Sequence, residues 1–349
     1  MLITDFSLSA FISLILFLAW LGAGIVTFIL SYRYFRRASK RVTRHQHRLR
    51  LRGKKHLAKK GTQPLVTSTL LVAVAPPEQG EGLAEIRMFT ASKEEDAQYA
   101  EDKQACHREG TVYRCAITDG VSTSFLASQW AKIIASRFVQ QEVDLSNATL
   151  CIEWLHDCST EWHTWVEQTW IPTIEQQQGR KKDWSYQVER GAQTTLNGCS
   201  FSVEPLQRGD TTQVQVTAIG DANFFLVRSP SSNYQHYSAF PCKTREEFGP
   251  TPETLGTTEE SLHRCWRYVQ QEQFTAAPGD SMFLATDALA RWIFLQLQQE
   301  QNPWLQLLAL ADDATFRAFI HQERENAALE MDDTTLTVIC LAPGSSQVR

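Results

Sequence analysis

Ala116-Ile117-Thr118-Asp119-Gly120 is an apolar, strand-like run that stops at a carboxylate and a glycine. The pattern returns at Phe283-Leu284-Ala285-Thr286-Asp287. It appears in reverse where Asp332-Asp333-Thr334-Thr335 leads into Leu336-Thr337-Val338-Ile339. Glu95-Asp96 is a fourth acidic motif. A single Asp at a strand end usually caps a turn or a helix start. Several such ends on buried strands can converge, and like charges brought together out of water require a cation. Hard carboxylate oxygens favour Mg2+, Mn2+ or Ca2+ over zinc. The set therefore points to a metal site built from Asp residues.

The 349 residues suffice for one large domain or two ordinary ones. A hydrophobic content of 43%, with 10 Trp and 18 Phe, provides for a substantial core. The formal net charge of -5 conceals an asymmetry. Residues 33–60 carry 13 Lys and Arg, and Asp5 is the only acid in the first 60 positions. Positions 61–349 are left with 21 basic and 38 acidic residues, a balance of -17. So acidic a domain suits a cation-dependent site and argues against nucleic acid binding there. The eight cysteines (Cys106, Cys115, Cys151, Cys158, Cys199, Cys242, Cys265 and Cys340) include no Cys-x-x-Cys pair and no His cluster at ligand spacing. They read as free thiols in a reducing compartment.

From Phe6 to Tyr32 no residue is charged and most are apolar. About 20 apolar helical residues cross the hydrocarbon layer, so residues 7–31 are expected to form a transmembrane helix. A cleaved signal peptide is the rival, but the run is too long and its positive charge follows rather than precedes it. Arg33, Arg36, Arg37, Lys40, Arg41 and Arg44 begin directly after the span, which predicts an outside N-terminus and a cytoplasmic main domain. Residues 32–62 then form a basic juxtamembrane tether suited to anionic lipid, or to an acidic partner or RNA.

Residues 63–343 follow as the main domain. Leu65–Ala75, Ile86–Thr90, Val112–Thr118, Thr194–Val203, Thr212–Ile219, Asn223–Arg228, Ser281–Ala285 and Leu336–Leu341 read as strands. Leu126, Trp130, Ile133, Ile134 and Phe138 mark an amphipathic helix over Thr123–Gln141. Residues 147–178 and 287–328 are expected to be helical, with Trp154, Trp162, Trp165 and Trp170 as packing residues. Strands run in groups with little strict βαβ alternation, which favours an α+β fold over a doubly wound sheet.

In order along residues 65–342, Glu95-Asp96, Ala116-Ile117-Thr118-Asp119-Gly120, Gly191-Ala192-Gln193-Thr194-Thr195, Ala218-Ile219-Gly220-Asp221-Ala222, Phe283-Leu284-Ala285-Thr286-Asp287 and Asp332-Asp333-Thr334-Thr335 resemble the motifs of the metal-dependent type-2C (PPM) Ser/Thr protein phosphatases. The resemblance implies a central antiparallel β-sandwich flanked by helices on both sides, with two Mn2+ or Mg2+ ions at one end. By motif position Asp119 would bridge the ions, helped by the Gly120 carbonyl. Asp287 and Asp332 would bind one ion, Glu95 and Asp96 the other, and Asp221 would join Asp287 at a weaker third ion. The implied reaction is direct hydrolysis of phosphoserine or phosphothreonine in a phosphoprotein by a metal-bridged hydroxide.

The chain departs from the family pattern in three places. Ala91 stands where a phosphate-binding Arg is common, and Lys93 is the candidate replacement as a point charge. Val121-Ser122-Thr123 replaces the common His-Gly-Gly, and Ala288 follows Asp287 in place of Gly. The alternatives are a pseudophosphatase that binds phosphopeptides or acts as a scaffold at the membrane, and a tether whose basic segment binds RNA or anionic lipid.

Overall fold

The computed structural model describes residues 84–93, 100–203, 211–228 and 235–341, all within the unit Ala75–Arg349. The transmembrane helix expected at 7–31, the tether at 32–62, the strand at 65–75 and the Glu95-Asp96 pair lie outside the described residues. Among the described residues no helix is long and apolar enough to cross a membrane.

Two five-stranded antiparallel sheets make up the centre. The first runs in the order β1 (Ala84–Ala91), β12 (Thr334–Leu341), β11 (Ser281–Ala285), β7 (Asn223–Val227), β8 (Tyr237–Phe240). The second runs β10 (Gln270–Ala276), β6 (Thr212–Ile219), β5 (Leu196–Ser202), β3 (Val112–Thr118), β2 (Lys103–Glu109). A short pair, β4 (Gln193–Thr194) and β9 (Leu255–Gly256), lies beside them. The fold is α+β, and no parallel pairing enters either sheet.

Each strand buries the face its side chains dictate. In β6 Val214 and Val216 are buried while Gln213 and Gln215 are exposed, a period of two. β7, Asn-Phe-Phe-Leu-Val, is buried throughout because neighbours cover both its faces. Cys115, Ile117, Val214 and Val216 of the second sheet meet Phe224, Leu226, Met282, Leu284 and Ile339 of the first in one core, so the sheets stack face to face.

Helices cover both outer faces. On the second sheet lie α1 (Ala127–Gln140) and α2 (Ala148–Trp165), which bury Trp130, Ile134, Trp154, Leu155 and Trp162 against Ala116, Leu196 and Ile219. Beyond α2 a π-helical turn at Val166–Trp170 leads into α3 (Ile171–Gln178), and α4 (Ser185–Arg190) follows. The short α5 (Glu259–Arg264) follows β9. On the first sheet lie α6 (Asp287–Gln298), α7 (Pro303–Leu308) and α8 (Asp313–Glu325), which pack Trp292, Trp304 and Phe316 against Phe89, Phe225 and Phe283.

Several sequence expectations need correction. The helix expected from Thr123 begins at Ala127, after Leu126 in a left-handed conformation. The stretch expected to be helical over 287–328 is three helices, because Asn302-Pro303 and then Asp312, the latter in a capping box with Thr315, each start a new one. Strands β2, β8 and β10 were not expected. All three are sheet edges, where one side faces no neighbouring strand and a polar sequence such as Lys-Gln-Ala-Cys-His-Arg-Glu is tolerated. The free-thiol reading fails for one pair: Cys106 and Cys115 face each other across β2 and β3 and are bonded. The other six cysteines are free.

Phe224 is fully buried between the sheets, beside Phe274 at 5.3 Å between ring centroids. Phe224→Ala is expected to destabilise the domain by about 3–5 kcal/mol, read as a lowered urea midpoint with an unchanged slope.

Candidate metal centre

Antiparallel register decides which residues meet. In the second sheet Lys103 pairs with Thr118, so the residues just outside, Asp102 and Asp119, come out at the same end. In the first sheet Ala91 pairs with Thr334 and Ala285 with Leu336 and Asn223. The end of β1, the start of β12, the end of β11 and the start of β7 therefore share one edge. That edge carries Lys93, Asp332, Asp333, Asp287 and Asp221.

Local chemistry fixes each backbone. The Asp119 carbonyl accepts from the Thr195 N–H (2.9 Å) and the Thr194 hydroxyl (2.8 Å), and the Asp119 N–H donates to Thr195 Oγ1 at 3.1 Å. Gly120 lies so close to the β2 entry that a Cβ there would stand 2.9 Å from the Glu101 carbonyl oxygen. Asp221 follows Gly220, whose φ of 93° and tight contacts with Thr195 and the Glu253 carbonyl admit no side chain. Thr286 joins the two strand ends behind Asp287: its N–H donates to the Thr335 carbonyl (3.1 Å) and its hydroxyl accepts from the Thr335 N–H (2.9 Å). Arg324 of α8 donates to the carbonyls of Ser92 and Asp332, tying the β12 entry to the β1 exit.

The carboxylates differ in what they already hold. Asp333 is buried and fully used: it accepts from the Ser92 hydroxyl (3.2 Å), the Lys93 N–H (2.7 Å) and the Glu101 N–H (2.6 Å). It therefore staples the two ends of the segment 93–101. Asp332 is half-exposed and accepts from Lys93 Nζ at 3.2 Å. Asp102 is 1% exposed, neither of its carboxylate oxygens has a hydrogen-bond partner of ordinary geometry, and the Thr286 and Asp119 side chains act on it. Asp221 is 6% exposed with Oδ1 likewise unpartnered.

Burial and mutual repulsion govern the charge of this set. Burial, then the Asp333 charge, push the Asp102 carboxyl up to about 7. Asp119 is held well above the carboxylate range by burial and by Asp102 and Asp287. Burial, then Asp287, push Asp221 up to about 7. Asp287 is raised by burial, with Arg291 pulling against it. These groups act on one another's charge, yet among the described residues no three His, Cys, Asp or Glu side chains are gathered around a common centre. Lys93 and Arg291 pair with Asp332 and Asp287. The donor set still fits a hard divalent cation: buried carboxylate oxygens without partners are what such an ion satisfies.

The structure brings to the acidic set a Glu-Asp pair that the sequence reading passes over. Glu95-Asp96 lies outside the described residues, and among the described residues Glu101-Asp102 stands beside the set. Its signal was its place directly before a strand, hidden by the polar sequence of β2. Ala91 is 3% exposed in the core beneath α6–α8 and has no part in the acidic set. Lys93 is no solvated surface lysine. Its ammonium donates to Glu101 Oε2 (3.0 Å), Ser122 Oγ (2.7 Å) and Asp332 Oδ1 (3.2 Å). Burial pulls that ammonium down, but Glu101 and then Asp332 and Asp333 outweigh it and raise it overall. Ser122, from the departing turn, also donates to Glu101. A cavity of about 920 Å3 lined by His156, His163, Lys182 and Trp184 holds none of these residues.

A carboxyl raised in the folded state favours folding in its protonated form. That contribution is full below the unfolded value of about 3.9 and is lost as pH rises through the folded value. With Asp102 and Asp221 pushed up to about 7, the metal-free chain is expected to lose stability between about pH 4 and about pH 7. Saturating Mn2+ at the upper end should restore it. Urea midpoints with chelator and with Mn2+ test this; a midpoint that stays flat across the window in chelator would refute it.

Solved structures similar to this chain include the S. agalactiae serine/threonine phosphatase, at 12% identity over 74% of this chain and 99% of that one, with a TM-score of 0.43. The serine/threonine phosphatase Stp1 from Staphylococcus aureus stands at 12% identity, 76% and 99% coverage and a TM-score of 0.45. The catalytic domain of the serine threonine protein phosphatase PstP, in complex with 2 manganese ions, stands at 14%, 74%, 99% and 0.43. No family model and no curated protein matches the chain.

Proposed function

We propose that this chain is a metal-dependent phosphoprotein phosphatase that hydrolyses phosphoserine and phosphothreonine directly onto water. The observation that carries the reading is that Asp102, Asp119, Asp287 and Asp332 act on one another's charge at one end of the sandwich, with the buried Asp102 oxygens left unpartnered. Two hard cations held there lower the pKa of a bound water and neutralise phosphoryl oxygens. Asp119, at the end of β3, would be a shared ligand of the cations, with the Gly120 carbonyl beside it. Asp287 and Asp332 would hold cation on one side of it, and Asp102 with Glu101 on the other.

The chain's own residues supply the rest. Asp333 fixes the Lys93 and Glu101 backbones, so the lysine is presented on the rim of the acidic set. Its side chain is 27% exposed and its three donors are held by Glu101, Ser122 and Asp332, so an incoming phosphoryl oxygen would take the place of one of them. No serine or cysteine nucleophile is required, and the free cysteines of the domain are buried, apart from the half-buried Cys340.

A second reading, a pseudophosphatase that binds phosphopeptides, draws on the ion pairs of Lys93 and Arg291, which already neutralise part of the acidic set. Hydrolysis of p-nitrophenyl phosphate by the full chain separates the two. Turnover is expected with Mn2+ and not with EDTA, and Asp119→Asn and Asp102→Asn should each lower kcat by about 10²-fold or more. Activity that is indifferent to metal or survives Asp119→Asn would sink the mechanism. Lys93→Met is expected to raise KM for a phosphopeptide several-fold; an unchanged KM removes Lys93 from the substrate site.

The membrane anchor at 7–31 and the cytoplasmic side for the domain rest on hydropathy and on the basic flank at 33–60. The full chain is expected to stay in the membrane fraction through alkaline carbonate, and a chain lacking residues 7–31 to leave it. Release of both by high salt would reduce the attachment to the basic tether.

A further inference from the structure

Arg291 lies one helical turn after Asp287 on α6 and reaches three carboxylates. Its Nη2 is 3.2 Å from Asp287 Oδ2 and 4.0 Å from Asp221 Oδ2, and its Nη1 is 3.1 Å from Glu330 Oε2. Phe248, in the loop that follows β8, sets its ring 5.4 Å from the guanidinium carbon. The arginine is thus held from three sides: by its own helix, by the acidic approach to β12 and by an aromatic ring.

The family resemblance implies a third divalent ion between Asp221 and Asp287. A guanidinium is charged at every pH a folded protein tolerates. A divalent ion between the two carboxylates would meet it at contact distance, so the ion and the arginine exclude each other. The arginine is an imperfect substitute, since Asp221 Oδ1 stays buried without a partner while Oδ2 faces Nη2.

We propose that Arg291 is a tethered cation that takes the place of a third metal ion between Asp221 and Asp287, so that the loaded site takes up no ion beside Asp221. The inference rests on the metal-dependent phosphatase reading and sharpens it: the charge beside Asp221 comes from the chain and does not vary with metal concentration. Phe248 extends the arrangement to the loop, because the side chain that neutralises Asp287 also holds that loop against the site.

The test is the number of Mn2+ ions bound per full-length chain at saturation, followed through the spectroscopic signal of free Mn2+. Arg291→Gln is expected to bind one ion more than the wild type, and the double variant Arg291→Gln/Asp221→Asn to lose it again. Asp221→Asn alone is expected to keep the wild-type count, which tests the idea even where Arg291→Gln does not fold. An Asp221→Asn protein that loses an ion makes Asp221 a metal ligand beside Arg291 and overturns the inference. An Arg291→Gln protein that is folded and binds the wild-type number overturns it as well, while the phosphatase reading stands. A wild type that binds no Mn2+ overturns both.

Discussion

Repulsion among carboxylates withdrawn from water is the constraint around which this domain is organised. Asp102, Asp119, Asp221 and Asp287 are each disfavoured as anions by burial and by one another. A fold that keeps such a set must answer it with backbone N–H groups, cationic side chains or bound ions. The first two answers are distributed by position. Asp333 takes backbone N–H groups, Asp332 and Glu101 share Lys93, and Asp221 and Asp287 share Arg291. Asp102 receives none of these, and it lies deepest.

The scaffold makes that arrangement affordable at the ends of strands rather than within them. Antiparallel pairing carries every second strand end to the same edge, so six separate segments deliver side chains to one place without any loop having to cross the core. The large side chains between the sheets and under the helices fix the strands, and the threonines at the ends lock them together. Thr286 with Thr335, and Thr194 and Thr195 with Asp119, make hydrogen bonds that leave the neighbouring carboxylates little freedom to separate. Rigidity at the strand ends is what allows repulsion to persist instead of relaxing.

Lys93, Ser122 and Arg291 give the site its individual character. Ser122 joins Lys93 and Glu101 in one hydrogen-bonded group. Lys93 and Arg291 hold the acidic set from its rim, one on either side. They pair Asp332 and Asp287 with the chain's own cations, and among the described residues no ligand group is gathered around one centre.

The sequence by itself determined the α+β class, the buried strands at 112–118, 212–219 and 281–285, and Asp119, Asp287, Asp332 and Asp221 as candidates. These are local facts: an apolar run with period two, closed by a polar residue, has the same meaning wherever the chain later goes. Tertiary structure alone decided that Glu101-Asp102 stands beside the acidic set. That placement depends on the register of β2, an edge strand whose polar sequence gives no periodic signal. It also decided that Ala91 is a core residue, that Cys106 and Cys115 are partners, and that two basic side chains reach across to the acids. Each of these is a contact between residues distant in sequence or on adjoining strands, set by register and helix placement, and hydrophobic periodicity carries no information about either.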